Sequence, residues 1–331
     1  MSIEILKPGA QTSIQDAGRL GYLNTGLSPA GPLDHLSLRI ASLLVGNTLP
    51  SPLLAGGPRG DAGLEITFMG PVLRFTEATV FAVAGGTFPL KLDGTDIPMY
   101  QAIAARAGQV LDFGMVKDGA RGYLAVAGGI AVAPVLGSRS ENLFASRGPL
   151  GRALKAGDVL PVGPAEGRRA GARFDLAKLP PRLAEPVLLV VMGPQDDLFT
   201  DQSLIDFQAQ PWTLGTQANR TGLRFKGPVL TFRERPAYLA RDAGADPSNI
   251  VDDMIPVGGI QCPSGIEAIV MGTENPTVGG FAKIATVISC DIATAGQMRP
   301  GQKARFRAVS PQEAVAIART PAAIASPANL V

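Results

Sequence analysis

Short apolar stretches recur along the chain between glycines and prolines, and several alternate hydrophobic with polar positions. Residues 64–68 (LEITF) alternate and stop at Gly70-Pro71, and residues 72–75 (VLRF) resume after them. Residues 79–84, 123–127, 187–191, 229–232 and 268–271 carry further runs rich in valine, isoleucine and phenylalanine. Runs of this length, bounded by turn residues, predict many short β-strands. Three segments follow a helical period or start signal instead. Residues 34–45 put Leu36, Ile40, Leu43 and Leu44 on one face, with Asp34 in the first turn and Gly46 as terminator. Residues 199–207 fit a short helix. Ser310-Pro311-Gln312-Glu313 is a capping box with proline in the first helical position, predicting a last helix to about Arg319. The expected fold is mainly β with a few short helices.

Two echoes divide the chain into similar halves. Ala107-Gly108-Gln109-Val110 resembles Ala156-Gly157-Asp158-Val159 and Pro300-Gly301-Gln302-Lys303, each a tight turn feeding a strand. Phe68-Met69-Gly70-Pro71 resembles Val191-Met192-Gly193-Pro194. Chance recurrence of a common turn is the alternative to two related units. Between the halves, a Gly/Ala/Arg-rich stretch and Pro180-Pro181 offer little apolar surface to bury. The expected organisation is a β domain over 1–165, a linker over 166–186, a β domain over 187–320 and a frayed Ala/Pro-rich tail over 321–331.

With 331 residues and 46% hydrophobic content, each half can bury a core. Thirty Lys+Arg against 28 Asp+Glu give a net charge of +2, which argues against a nucleic-acid-binding or polybasic membrane surface. No apolar run approaches the roughly 20 residues that span a bilayer, and no secretory leader is visible, so a cytoplasmic protein is expected. Cys262 and Cys290 are far apart and read as free thiols. The lone histidine, His35, leaves no His-rich metal site and falls in the 34–45 helix, where a surface position is expected.

Residues 12–22 (TSIQDAGRLGY) are too dense in polar, charged and glycine residues for an ordinary strand or helix. Gln15, Asp16 and Arg19 put an amide, a carboxylate and a guanidinium into one loop. That arrangement fits a binding loop, and equally a tight loop ordered by its own ion pair. Hydrolase elbow, zincin and P-loop motifs are missing from the sequence. The chain therefore reads as a subunit that shapes a site, inactive by itself.

The order of these residues resembles the allophanate hydrolase subunit 2 family. That family includes the C-type subunit of bacterial 5-oxoprolinase, KipA and part of the carboxyltransferase region of urea carboxylase. The opening block continues through Gly26, Gly31 and Asp34. Further matching blocks are Val135-Leu136-Gly137-Ser138-Arg139-Ser140, Gly151-Arg152, Ala156-Gly157-Asp158, Asn219-Arg220-Thr221-Gly222, Ile255-Pro256-Val257-Gly258-Gly259-Ile260-Gln261 and Gly279-Gly280-Phe281-Ala282-Lys283. The resemblance implies two cyclophilin-like β-barrel domains and a partner of the subunit-1 (KipI-like) type. It also implies a LamB/YcsF-type or biotin carboxylase partner, with ATP and biotin supplied by partners and neither bound covalently to this chain. The small amide or lactam substrate would be 5-oxoproline, or urea, guanidine or another amide; a non-catalytic KipA-like role is the competing class. It places Lys283, Asp16 and Glu274 as catalytic candidates, and Gln15, Arg19, Tyr22, Asn219, Arg220, Gln261, Gly279 and Gly280 as substrate-binding candidates. Arg grips a carboxylate in two places, Lys supplies a point charge, and backbone N–H groups at Gly279-Gly280 suit an oxyanion. For each arginine, a buried ion pair that orders a loop is the other reading. The chain departs from the family pattern at Asp252-Asp253-Met254 and at Glu274-Asn275-Pro276, which puts the substrate rather than the fold in question.

Overall fold

The computed structural model describes residues 1–51, 57–165, 170–235 and 237–331, without the side chains at 238, 239, 321 and 322. Two compact units are formed. The first comprises Met1–Leu20, Pro29–Pro180 and Pro321–Val331, the second Gly21–Ser28 and Pro181–Thr320. Part of the expected linker, residues 166–169, lies outside the described residues.

Among the described residues the first unit holds eleven strands: β1 Ser2–Lys7, β2 Gln11–Gln15, β3 Gly63–Thr67, β4 Val72–Phe75, β5 Thr79–Thr87, β6 Lys91–Leu92, β7 Thr95–Asp96, β8 Ile103–Ala105, β9 Val110–Asp112, β10 Asp118–Val126 and β11 Val159–Pro161. They make a six-stranded sheet in the order β11-β1-β4-β9-β6-β7 and a five-stranded sheet in the order β2-β3-β10-β5-β8. Strand alternation sorts the core. Phe81 and Val83 of β5, with Leu124 and Val126 of β10, join a cluster with Ile3, Leu73, Phe75 and Leu111 of the other sheet. The intervening Ala82, Ala84 and Ala125 face Leu36, Ile40 and Leu44 of helix α1, His35–Leu44. Small side chains on that face let the helix sit close to the sheet.

Helix α1 starts where its sequence predicts. The Asp34 side chain accepts from Ser37 N at 3.0 Å and from Ser37 Oγ at 2.6 Å, a cap of the kind worth about 1 kcal/mol. Two expectations fail here. His35 is not on the surface: it is 3% exposed, and all ten residues of α1 are buried. Nor does the end of the chain fray. Ala325 is buried in the α1 cluster beside Phe174, and Arg173 and Val331 exchange two backbone hydrogen bonds. Ala325, with Ile324 and Leu330 packed against the same cluster, is the tail's means of docking.

The second unit contains a closed seven-stranded barrel. Its strands are β12 Val187–Met192, β13 Trp212–Ala218, β14 Gly222–Lys226, β16 Gly259–Gln261, β17 Ala268–Met271, β19 Lys283–Val287 and β20 Lys303–Ala308, in the order β12-β19-β16-β17-β14-β13-β20. β12 and β20 close the ring as a parallel pair, Val187 opposite Arg305. Aromatic rings collect on Phe306: Phe207 stacks on it at 4.8 Å, and Trp212 and Phe225 meet it edge-on at 6.0 and 5.8 Å. Beside the barrel, β15 Asn249–Met254 and β18 Val278–Phe281 form a two-stranded ribbon with Asp253 opposite Gly279. Helices α2 Asp201–Ala209, α3 Ala237–Ala243, α4 Asp291–Gln297, α5 Pro311–Ala318 and α6 Thr320–Ile324 complete the α-helices among the described residues.

The mainly β fold is as expected. The predicted last helix is α5, with both halves of its Ser310–Glu313 capping box formed. The three echoed turns place Gly108, Gly157 and Gly301 at φ of 83°, 86° and 89°, feeding β9, β11 and β20. That left-handed conformation is the reason each turn carries glycine. Residues 229–232, read as a strand, make only the isolated bridge of Phe232 to Phe199, because Leu230 N donates to Gly265 O in a loop instead of joining a sheet.

Candidate functional site

In the first unit, the Gln15–Arg19 loop leaves β2 and locks onto residues 135–141. Asp16 Oδ1 accepts from Ser138 Oγ at 2.6 Å, Ser140 Oγ at 2.7 Å and Gly18 N at 2.9 Å, while Oδ2 accepts from Arg139 N at 2.6 Å. Arg19 Nε donates to Val135 O and Nη2 to Ser140 O, both at 2.9 Å. The Gln15 amide donates to Ser13 Oγ and Glu141 O and accepts from Gly31 N. All three side chains are buried. The Val135–Ser138 turn that receives Arg19 has Leu136 at φ 51° and Gly137 at φ 76°, the tight hairpin turn with two left-handed central residues. Thus residues 15–19 and 135–141, from two family-like blocks, are complementary halves of one knot. Arg152 and Asp158, from two further blocks, likewise meet as a two-pronged ion pair at 2.7 and 2.8 Å.

Tyr22 is half-buried at the start of the 3-10 turn Leu23–Thr25, in the segment that belongs to the second unit. Asn219 Oδ1 accepts from Thr221 N and Gly222 N and shapes the turn before β14. Arg220 and Glu274 pair with each other at 2.6 Å, each side chain 2% exposed. Burial of that completeness orders the loops they come from, and either charge left alone there would be costly.

Lys283 has a different setting. It begins β19, its side chain is 0% exposed, and its Nζ lies 2.8 Å from Asp253 Oδ2, on a side chain 44% exposed. Gln195 Nε2 donates to the same oxygen at 3.0 Å, and Asp253 Oδ1 accepts from Met254 N at 2.7 Å. The Lys283 ammonium, then Gln195 and Met254 N–H, hold the Asp253 carboxyl below its ordinary value, offsetting partial burial. Gln261 stands opposite Lys283 in the β16–β19 ladder. Among the described residues its buried Nε2 has no hydrogen-bond partner, and it points at Gly279, where an added Cβ would come within 3.1 Å of it and 2.8 Å of Ile255 Cδ1. Gly280 follows in β18, beside Asp252. The fold thus gathers Lys283, Gln261 and Gly279 at one corner of the second unit. It places Asp16, Gln15 and Arg19 in the first unit, and Arg220 with Glu274 in a separate buried pair.

Asp253 and Gln195 were missed from the sequence. Asp253 was visible as a departure from the family pattern, but nothing in linear order pairs it with a lysine 30 residues on. Gln195 follows the echoed Met192-Gly193-Pro194 turn, which gave it no chemical meaning. Among the described residues, no three His, Cys, Asp or Glu side chains gather as metal ligands, and no helix is long and apolar enough to cross a membrane. Cys262 is buried and Cys290 partly so, and both are free.

A donor–acceptor corner of this kind suits the amide chemistry expected of the family, and relatives bear the family out. The model of the carboxyltransferase domain, subdomains A and B, matches residues 25–308. The chain is 33% identical over 319 residues to urea amidolyase of Saccharomyces cerevisiae, covering 92% of this chain but only 16% of that protein's length. It is 31% identical over 318 residues to the C-type subunit of 5-oxoprolinase from Haemophilus influenzae, covering 96% of this chain and 94% of that one. The crystal structure of the K. lactis urea amidolyase superposes with a TM-score of 0.88 at 31% identity, over 100% of this chain and 21% of the other. The chain belongs to the carboxyltransferase domain family.

Proposed function

We propose that this family member is a subunit of an ATP-dependent 5-oxoprolinase or biotin-dependent carboxyltransferase complex, and that the Lys283–Asp253 corner holds its amide or lactam substrate. The observation that carries this reading is a fully buried ammonium whose partner carboxylate is nearly half exposed. An amide, lactam or urea offers a carbonyl oxygen and an N–H. Lys283 Nζ and the unpartnered Gln261 Nε2 are donors for the oxygen, and Asp253 is an acceptor for the N–H. A cation fixed in a water-poor site stabilises negative charge developing on that oxygen without reorganising. Asp253, held low by Lys283, stays a carboxylate at neutral pH and serves as acceptor rather than acid. ATP and biotin chemistry falls to partners of the subunit-1, LamB/YcsF or biotin carboxylase type. The near-complete mutual coverage with the C-type subunit of 5-oxoprolinase supports this role within a complex.

The test is co-expression with a subunit-1-type partner, which should give a complex burying about 1,600 Å² or more. The complex, with any further subunits required, is then assayed with ATP on 5-oxoproline and on urea. Lys283→Met should leave the complex intact and lower turnover by about 10²–10³. A complex that forms yet turns over neither amide, in wild type as in variant, favours the non-catalytic KipA-like reading. Full turnover in Lys283→Met would overturn the assignment of this corner.

A further inference from the structure

We propose that Gln195 is a positioning residue for this corner, a bracket that fixes Asp253 against Lys283; the proposal rests on the reading of the corner as the substrate site. Three hydrogen bonds carry it. Gln195 N donates to Lys283 O at 3.0 Å, Lys283 N donates to Gln195 Oε1 at 3.1 Å, and Gln195 Nε2 donates to Asp253 Oδ2 at 3.0 Å. The first two imitate a strand pairing and leave the Gln195 amide only one useful orientation. Its oxygen is consumed by the β19 main chain, so its NH₂ must face the carboxylate.

That orientation matters because Asp253 does not sit on the barrel. It belongs to the β15–β18 ribbon, a separate two-stranded sheet. Lys283 Nζ alone could hold either carboxylate oxygen, since an ammonium is a point charge with freely placed donors. A second donor converging on Oδ2 selects that oxygen, and Met254 N turns Oδ1 back toward its own backbone. The ribbon and the barrel strand are thereby brought to a set distance at the substrate-facing carboxylate. Among the described residues, the charged group drawing on Asp253 is Lys283 of β19. Its neighbour Asp252 is directed at Gly280 instead.

A glutamine is required by this geometry, and its near-isosteres fail in distinguishable ways. Gln195→Glu keeps size and the acceptor for Lys283 N but sets a second carboxylate against Asp253 Oδ2. Two carboxylates in one place share a proton, so the pair titrates in two steps, of which the second is raised. Gln195→Leu removes the bracket without adding charge. The readouts are side-chain carboxyl NMR titration of Asp253 in the full chain, and the pH profile of turnover in the assembled complex. Gln195→Glu should shift Asp253 titration upward by about a unit or more and give a complex that works at acidic pH, where the shared proton restores a donor, and fails as pH rises. Gln195→Leu should cost about 10²-fold in turnover at every pH, the scale of a roughly 1 Å misplacement. An unchanged Asp253 titration in Gln195→Glu would overturn the bracket. A shifted titration with no wild-type turnover on either amide would retain the bracket and remove the substrate assignment.

Discussion

Asp16 in the first unit and Asp253 in the second both collect hydrogen bonds, but from different kinds of donor. The four donors on Asp16 come from its own loop and from residues 138–140, and the side chain is out of reach of solvent. The donors on Asp253 include a buried ammonium and a glutamine amide, and almost half of the side chain is open. A carboxylate saturated by its own framework fixes a loop and has nothing left to offer a ligand. A carboxylate held in place but left open can exchange a partner. Residue type does not separate the two roles; the accessibility of the remaining lone pairs does.

The largest effect should follow from Asp16→Ala. It leaves two serine hydroxyls and two backbone N–H groups without their acceptor, so the first unit should lose about 3–5 kcal/mol in denaturant unfolding. If the variant unfolds like wild type and only activity falls, Asp16 belongs with Asp253 after all. Glu274→Gln comes next. It removes the buried carboxylate charge that pairs with Arg220, and a loss of about 3 kcal/mol in the second unit is expected, with much of it recovered when Arg220→Met is added. Recovery of stability without recovery of turnover would return Glu274 to the reacting centre.

His35 gives a smaller effect with a defined sign. Burial lowers its folded-state value to about 4 from an ordinary 6.5, against the upward pull of Asp34. The unfolded chain therefore takes up a proton below about 6.5, while the folded chain waits until about 4. Stability should fall between those limits and be flat above them, by about 2 kcal/mol from about pH 7 to about pH 5. Unfolding midpoints should keep that slope in wild type and lose it in His35→Gln. Smallest of all is the stability change in Lys283→Met, about 1 kcal/mol or less, because the open Asp253 can be rehydrated once its partner is gone. Large destabilisation there would make the second corner a structural knot like the first.

Much of the fold was legible because it is written locally. The period of residues 64–68, the Asp34 and Ser310 caps and the glycine turns before β9, β11 and β20 each need only a few neighbouring residues. His35 was misplaced because burial of a helix face read as solvent-exposed is decided by distant parts of the chain, beyond the reach of any periodicity. The site was half legible for the same reason. Lys283, Gln261 and Gly279 stood in blocks that resemble a family, but Asp253 and Gln195 reach Lys283 through the β15–β18 ribbon and a loop, and their meaning exists only in three dimensions. Conversely, the density of charge at residues 15–19 signalled a folding constraint as strongly as chemistry would have.

The closure of the barrel by β12 and β20 has a consequence for biosynthesis. β20 sits between the first two strands of its ring, β12 and β13, and pairs with both. A ribosome delivering the chain in order therefore exposes two unmatched strand edges, at 187–192 and 212–218, until residues 303–308 emerge. Open edges of this kind recruit other strands. The nascent second unit is thus most vulnerable to misassembly over that window.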